Sequence, residues 1–311
     1  MLETIELRKV FKNKTAVDGV NLYLDPGESV GLLGPNGAGK STTISMISTL
    51  IKPTSGDVKM NGQSVLKHPK IIRSELGVVP QEIALYPDLS ALENLQFFGR
   101  IYGLKGKELN RAVQEVLELV DLTDRQKERI KTYSGGMKRR INIAAALMHQ
   151  PKIIIMDEPT VGIDPQSRNY ILETVRRLNT EKKMSVLYTS HYMEEVEQLC
   201  DRIYIMDHGK VIASGRKDEL KSILSAEDMI VLQLEEPCEP FVDELKQDIN
   251  IRKVDADGNK MIKLIVPKTV NLLGQIFQAA ERHSARIVNL NVQKPSLEDV
   301  FLHLTGRKLR D

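Results

Sequence analysis

Cysteine is nearly absent from this chain: Cys200 and Cys238 are the only two among 311 residues. Neither belongs to a paired motif, so no disulfide framework or zinc site is expected, and a reducing compartment fits best. Both are expected to act as small buried or half-buried hydrophobes. Long apolar runs are also missing. The longest, Ile153–Met156 and Ile143–Met148, fall far short of the ~20 residues that a membrane-spanning helix needs. The opening MLETIELRKV alternates charged and apolar residues and does not read as a signal peptide. No excess of one charge is present either, since 44 Lys and Arg face 42 Asp and Glu for a net charge of +2. Nucleic acid is therefore not an expected partner. The triplet Lys138-Arg139-Arg140 is read as a solvated or dimer-facing helix surface.

What is present suffices for packed cores: 41% hydrophobic and 28% charged residues, in a length that suggests about two domains. Residues 1–222 alternate short β-rich runs with helical patterns, the sign of an α/β domain with a parallel-sheet core. Ser29–Leu33, Lys152–Met156, Ser185–Thr189 and Arg202–Met206 read as strands. Lys40–Ile51, Arg168–Leu178 and Tyr192–Leu199 read as helices. The stretch from about 85 to 150 reads as a helical insertion. There Ser90-Ala91-Leu92-Glu93 forms a capping-box pattern, and Leu109, Val113, Val116, Leu117 and Val120 share one helical face. Residues 223–311 read as a small α+β domain in βαββαβ order: Met229–Leu234, Pro240–Gln247, Ile249–Val254, Met261–Val266, Val270–Arg282 and Arg286–Val292. A short helix over Ser296–Leu304 follows.

Gly34-Pro35-Asn36-Gly37-Ala38-Gly39-Lys40-Ser41 fits the P-loop pattern and lies between a strand and a helix, as that motif requires. Its glycines let the backbone curl into a nest of N–H groups around phosphate oxygens. Lys40 offers a charge to the β- and γ-phosphates, and the Ser41 hydroxyl is a Mg²⁺ ligand. The apolar run Ile153–Met156 ends in Asp157, a second Mg²⁺ ligand of the Walker B form, although strand ends often carry an Asp. Glu158 follows, placed to act as general base on an attacking water. Ser134-Gly135-Gly136 opens a helix and offers a second anion site, though by itself it also fits an ordinary capped start. Gln81 and His191 follow strands at the ligand-facing end of the sheet.

These elements, in this order, resemble the nucleotide-binding domain of ABC ATPases over roughly residues 1–222. The resemblance implies a P-loop NTPase fold with an antiparallel β subdomain, and ATP and Mg²⁺ as cofactors. It also implies a head-to-tail dimer in which each ATP lies between one P-loop and the partner's Ser134-Gly135-Gly136. It gives Phe11 the role of stacking on adenine, where the residue alone would read as core. Gln81 would reach the Mg²⁺ site, His191 the γ-phosphate, and Asp164 would couple the two sites across the dimer. Tyr133 and Met137 stand where the signature ordinarily has Leu and Gln. That departure, with the ending Pro295–Phe301, resembles the daunorubicin-resistance branch. The branch implies ATP-driven export through a separate polytopic permease, with the subunit cytoplasmic and peripheral on the inner face of the cell membrane. A second, identical copy of this chain is the implied dimer partner. A soluble ABC ATPase acting on a non-membrane partner is the alternative.

Overall fold

The computed structural model describes residues 1–190, 192–224, 227–258, 260–267, 272–293 and 296–306. The chain opens with β1 (Leu2–Phe11) and β2 (Lys14–Leu24), followed by β3 (Ser29–Leu33) and α1 (Lys40–Ile47). Then come β4 (Ser55–Met60), β5 (Gln63–Ser64), α2 (Pro69–Glu75) and β6 (Leu76–Val79). Three helices form the insertion: α3 (Ala91–Ile101), α4 (Gly106–Leu119) and α5 (Gly135–Leu147). The sheet resumes with β7 (Ile153–Asp157), α6 (Pro165–Thr180), β8 (Ser185–Thr189), α7 (Met193–Leu199), β9 (Arg202–Asp207) and β10 (Lys210–Arg216).

Two sheets result. β2-β1-β4-β5 is antiparallel, and the six-stranded sheet runs β10-β9-β3-β8-β7-β6. In the latter β9, β3, β8, β7 and β6 are parallel, with β10 antiparallel at the edge. Strands β3, β7 and β8 are buried along their whole length, which is why they read as continuous apolar runs rather than alternating ones. β3 sits inside the sheet between β9 and β8, so the loop leaving it opens at the carboxyl ends of its neighbours, where doubly wound sheets form their ligand crevice.

The helical insertion is held by local chemistry. Ser90 caps α3: its hydroxyl accepts from the Glu93 N–H at 3.2 Å, and Glu93 accepts from the Ser90 N–H at 2.8 Å. Asn94, fully buried, accepts from the Tyr86 N–H at 2.8 Å and donates to the Tyr86 and Ser90 carbonyls at 3.0 and 2.9 Å.

The chain divides into two compact units between Arg216 and Lys217. The second begins with α8 (Lys217–Lys221) and continues with β11 (Glu227–Leu234), α9 (Glu239–Gln247), β12 (Lys253–Asp257), β13 (Met261–Pro267), α10 (Leu273–Arg282), β14 (Ile287–Gln293) and α11 (Leu297–Thr305). Its antiparallel sheet runs β12-β13-β11-β14, the order of a ferredoxin-like unit. Phe241, Val242 and Leu245 of α9 and Ile276 and Ala280 of α10 pack with Leu232 and Leu264 in one core. Lys253 donates to the Leu302 carbonyl of α11 at 2.5 Å. One expected strand is displaced: Ile249 is 94% exposed, and the Asn250 N–H turns back to Asp248 Oδ1 at 2.8 Å, so β12 begins only at Lys253. The expected residues Val270 and Pro295 lie outside the described residues.

Replacing Ser90 by Ala removes one side of a reciprocal cap and should cost about 1 kcal/mol of stability. A urea titration checks this; an unchanged midpoint would contradict the assignment.

Candidate functional site

The phosphate loop forms where β3 runs out into α1, and it can form only because side chains are missing. A Cβ on Gly34 would stand 2.5 Å from the Met206 carbonyl oxygen, and one on Gly39 2.6 Å from that of Ala16. Gly39 also has φ +105°, a conformation that residues with a Cβ rarely adopt. The curled backbone and the start of α1 favour an anion here. Lys40 is only 5% exposed and donates to the carbonyls of Gly34 at 2.7 Å and Pro35 at 3.3 Å. Its ammonium lies 3.8 Å from Glu158 Oε1. Burial pushes the Lys40 pKa down, against the opposing pull of Glu158 and Asp157.

Those two acids stand at the end of β7. The Thr189 hydroxyl, on neighbouring β8, donates to Asp157 Oδ1 at 2.8 Å and accepts from the Glu158 N–H at 2.9 Å. Glu158 has φ +50°, a strained value for a residue with a side chain. Such strain persists only where surrounding contacts fix it, and Thr189 is one of them. Gln81 Nε2 donates to Glu158 Oε2 at 3.1 Å.

A cavity of about 350 Å³ is lined by Phe11, Asn36, Gly37, Ala38, Gly39, Lys40, Ser41, Gln81 and Glu158. Lys14, Ala16 and Thr42 line it as well, and nothing in their spacing marked them. Gly34 and Pro35 lie at the base of the loop, supplying the carbonyls that hold Lys40. Phe11 is 46% exposed at the end of β1, so it is not the core residue that its type alone suggests. A larger cavity, about 710 Å³, is lined by Met1, Pro26, Lys152 and Ser185 among others and shares none of these groups.

Ser134, Gly135, Gly136 and Asp164 do not line the phosphate cavity. They form a separate corner. Ser134 caps α5, accepting from the Met137 N–H at 3.2 Å. A Cβ on Gly136 would stand 2.1 Å from Ser167 Oγ and 3.5 Å from Asp164 Oδ2. Asp164 caps α6 by accepting from the Ser167 N–H at 2.9 Å, the contact that most holds its carboxyl below the usual range. The unusual signature residues have partners of their own. Buried Tyr133 donates to the Arg125 carbonyl at 2.7 Å, and Arg125 lies 3.7 Å from the Met137 sulfur.

The basic triplet departs from expectation. Arg139 is 4% exposed rather than solvated, and its guanidinium donates to the carbonyls of Pro80 at 2.7 Å and Gln81 at 2.5 Å. Asn142, one turn further along α5, accepts from the Ala84 N–H at 3.2 Å. The helix that begins at the signature therefore grips the loop that carries Gln81. His191 lies outside the described residues.

Among the described residues, no three His, Cys, Asp or Glu gather into a metal site. Mg²⁺ commonly takes one or two protein groups and completes its shell with substrate phosphates and water. Ser41 and Gln81 line the cavity, and Asp157 directly precedes Glu158, so the donor set fits.

The ABC transporter family profile matches residues 17–161, and the profile of the DrrA1-3-like ATP-binding protein C-terminal domain matches residues 215–305. The chain is 50% identical over 312 residues to the linearmycin resistance ATP-binding protein LnrL of Bacillus subtilis (strain 168), covering 100% of both chains. It is 35% identical over 298 residues to the daunorubicin resistance ATP-binding protein DrrA3 of Streptomyces coeruleorubidus, covering 96% of this chain and 93% of that one. A dimeric, post-hydrolysis ATP-binding cassette bound to ADP and Pi superposes with a TM-score of 0.64 at 29% identity, over 70% of this chain and 98% of that one. Similarity of this extent along the whole sequence shows that the chain belongs to the ABC transporter family, as an ATP-binding and ATP-hydrolysing subunit of the daunorubicin-resistance branch.

Proposed function

We propose that this chain hydrolyses ATP at two composite sites in a homodimer and so drives a separate polytopic permease in export, with drug efflux as the cargo class. The division of the site supports the dimer. Phe11, the P-loop, Gln81 and Glu158 share one cavity, whereas Ser134-Gly135-Gly136 and Asp164 lie outside its lining. A second copy would present its signature to the open side of the P-loop, as in the head-to-tail dimer that the family resemblance implies.

In this reading Phe11 stacks on adenine, and the backbone from Gly34 to Gly39 cradles the phosphates. Lys40 exchanges its carbonyl contacts for β- and γ-phosphate oxygens. Glu158 accepts the proton of the attacking water, and His191 orients that water. Ser41, Asp157 and Gln81 would hold Mg²⁺, which neutralises charge on the phosphates. Gln81 reports the state of the site to the helical insertion, and Asp164 couples the two sites. Export is supported by the names of relatives, which include linearmycin and daunorubicin resistance proteins and a Nod factor export ATP-binding protein. No described helix is long and apolar enough to cross a membrane. A peripheral position on the inner face of the cell membrane, at the permease, follows from the proposal.

Glu158→Gln keeps the shape of the side chain and removes the base, so turnover should fall at least ~100-fold while ATP-bound dimers persist on size exclusion. A normal turnover rate would overturn the assigned base. Tagged and purified from solubilised native membranes with ATP present, this variant should retain one polytopic protein. Recovery from the soluble fraction alone, without a membrane partner, would overturn the export reading.

A further inference from the structure

Glu195, on α7, is 1% exposed and carries four hydrogen bonds on one carboxylate. Its Oε2 accepts from Thr160 Oγ1 at 2.9 Å, the Tyr188 hydroxyl at 2.9 Å and Ser190 Oγ at 2.5 Å. Its Oε1 accepts from Arg168 Nε at 2.6 Å. An ionised carboxylate has about four acceptor positions, and four donors converge on this one, three of them on Oε2. The donors come from separate segments. Thr160 lies two residues beyond Glu158, on the way to Asp164. Arg168 stands in the first turn of the helix that Asp164 caps. Ser190 directly precedes His191, and Tyr188 lies on β8, which ends one residue before Ser190. Tyr192 joins the same group: its N–H donates to Ser190 Oγ at 2.9 Å, and the Arg168 guanidinium lies 3.9 Å from its ring centroid.

We infer that Glu195 is a positioning residue that locks the segment carrying His191 to the loop between Glu158 and Asp164, so that the two move as one unit during the catalytic cycle. A buried ion pair is weak support for stability, because desolvation offsets the attraction. This one joins the start of α6 to α7, and through Glu195 to Ser190. Displacement of either segment would strip donors from a buried charge, which is costly. The two loops therefore have few arrangements open to them besides a joint one. The inference rests on the ATPase reading of the site.

Three variants of the full chain test it: Ser190→Ala, Arg168→Met and their combination, with Glu195→Gln as a fourth that leaves one acceptor oxygen for four donors. Misplacing a catalytic segment costs turnover rather than affinity, so each single variant should lower kcat about 10-fold or more. KM for ATP, and binding of a fluorescent ATP analogue, should stay within about twofold. Because Ser190 and Arg168 act through the same carboxylate, the double variant should be no worse than the poorer single one. Losses that multiply in the double variant would overturn the coupling, as would losses that disappear when rates are normalised to the folded fraction by circular dichroism. Wild type and Glu158→Gln serve as controls. Equal hydrolysis by those two would fault the assigned base and leave the coupling to be judged on the Ser190 and Arg168 variants alone.

Discussion

A lysine ammonium sunk to 5% exposure, with two backbone carbonyls as partners and two acids beside it, is the constraint around which the larger unit is arranged. Burial of that charge disfavours it, and the nearby carboxylates compensate only in part. The loop can hold the ammonium there because Gly34 and Gly39 leave no Cβ to collide with the Met206 and Ala16 carbonyls. Asp157 and Glu158 reach the same place because β7 is wholly buried and ends beside Thr189, whose hydroxyl fixes both residues. In the proposed reading, a triphosphate would meet this ammonium and these acids already gathered in one place.

The same economy explains the helical insertion. Helix α5 starts at the signature, and two of its side chains, Arg139 and Asn142, hold the loop that presents Gln81. Gln81 in turn touches Glu158 at 3.1 Å. Helix α5 thus joins Ser134-Gly135-Gly136 to the loop of Gln81, the residue that we propose reports the state of the phosphate site. If the two surfaces are coupled as proposed, the hydrogen bonds from α5 to the Gln81 loop offer a physical link between them.

How much of this could be read from sequence depended on how local the cause was. The P-loop, the apolar strand ending in Asp157-Glu158, and the Ser90–Glu93 cap are decided within a few residues, so spacing alone gave them. The βαββαβ order of the second unit came from alternation and turns, except where Asp248 and Asn250 turned an apolar residue, Ile249, outward. Arg139 departs from the solvated face that a basic triplet normally marks, because its partners are carbonyls 59 and 58 positions away. The partnership of Thr189 with Asp157 spans neighbouring strands and leaves no periodic trace. Lys14, which lines the phosphate cavity from β2, is invisible for the same reason.

The claim on which the account stands is that a working site is shared between two copies of the chain. The direct measurement is ATP turnover of a mixture of two variants, Lys40→Ala and Ser134→Arg, set against each variant alone. Lys40→Ala damages a P-loop and leaves a sound signature; Ser134→Arg does the reverse. If sites are composite and head-to-tail, each variant alone is inactive and the mixture regains activity, because a mixed dimer holds one intact site. A mixture no more active than its separate components, or full turnover by Ser134→Arg alone, would contradict the account.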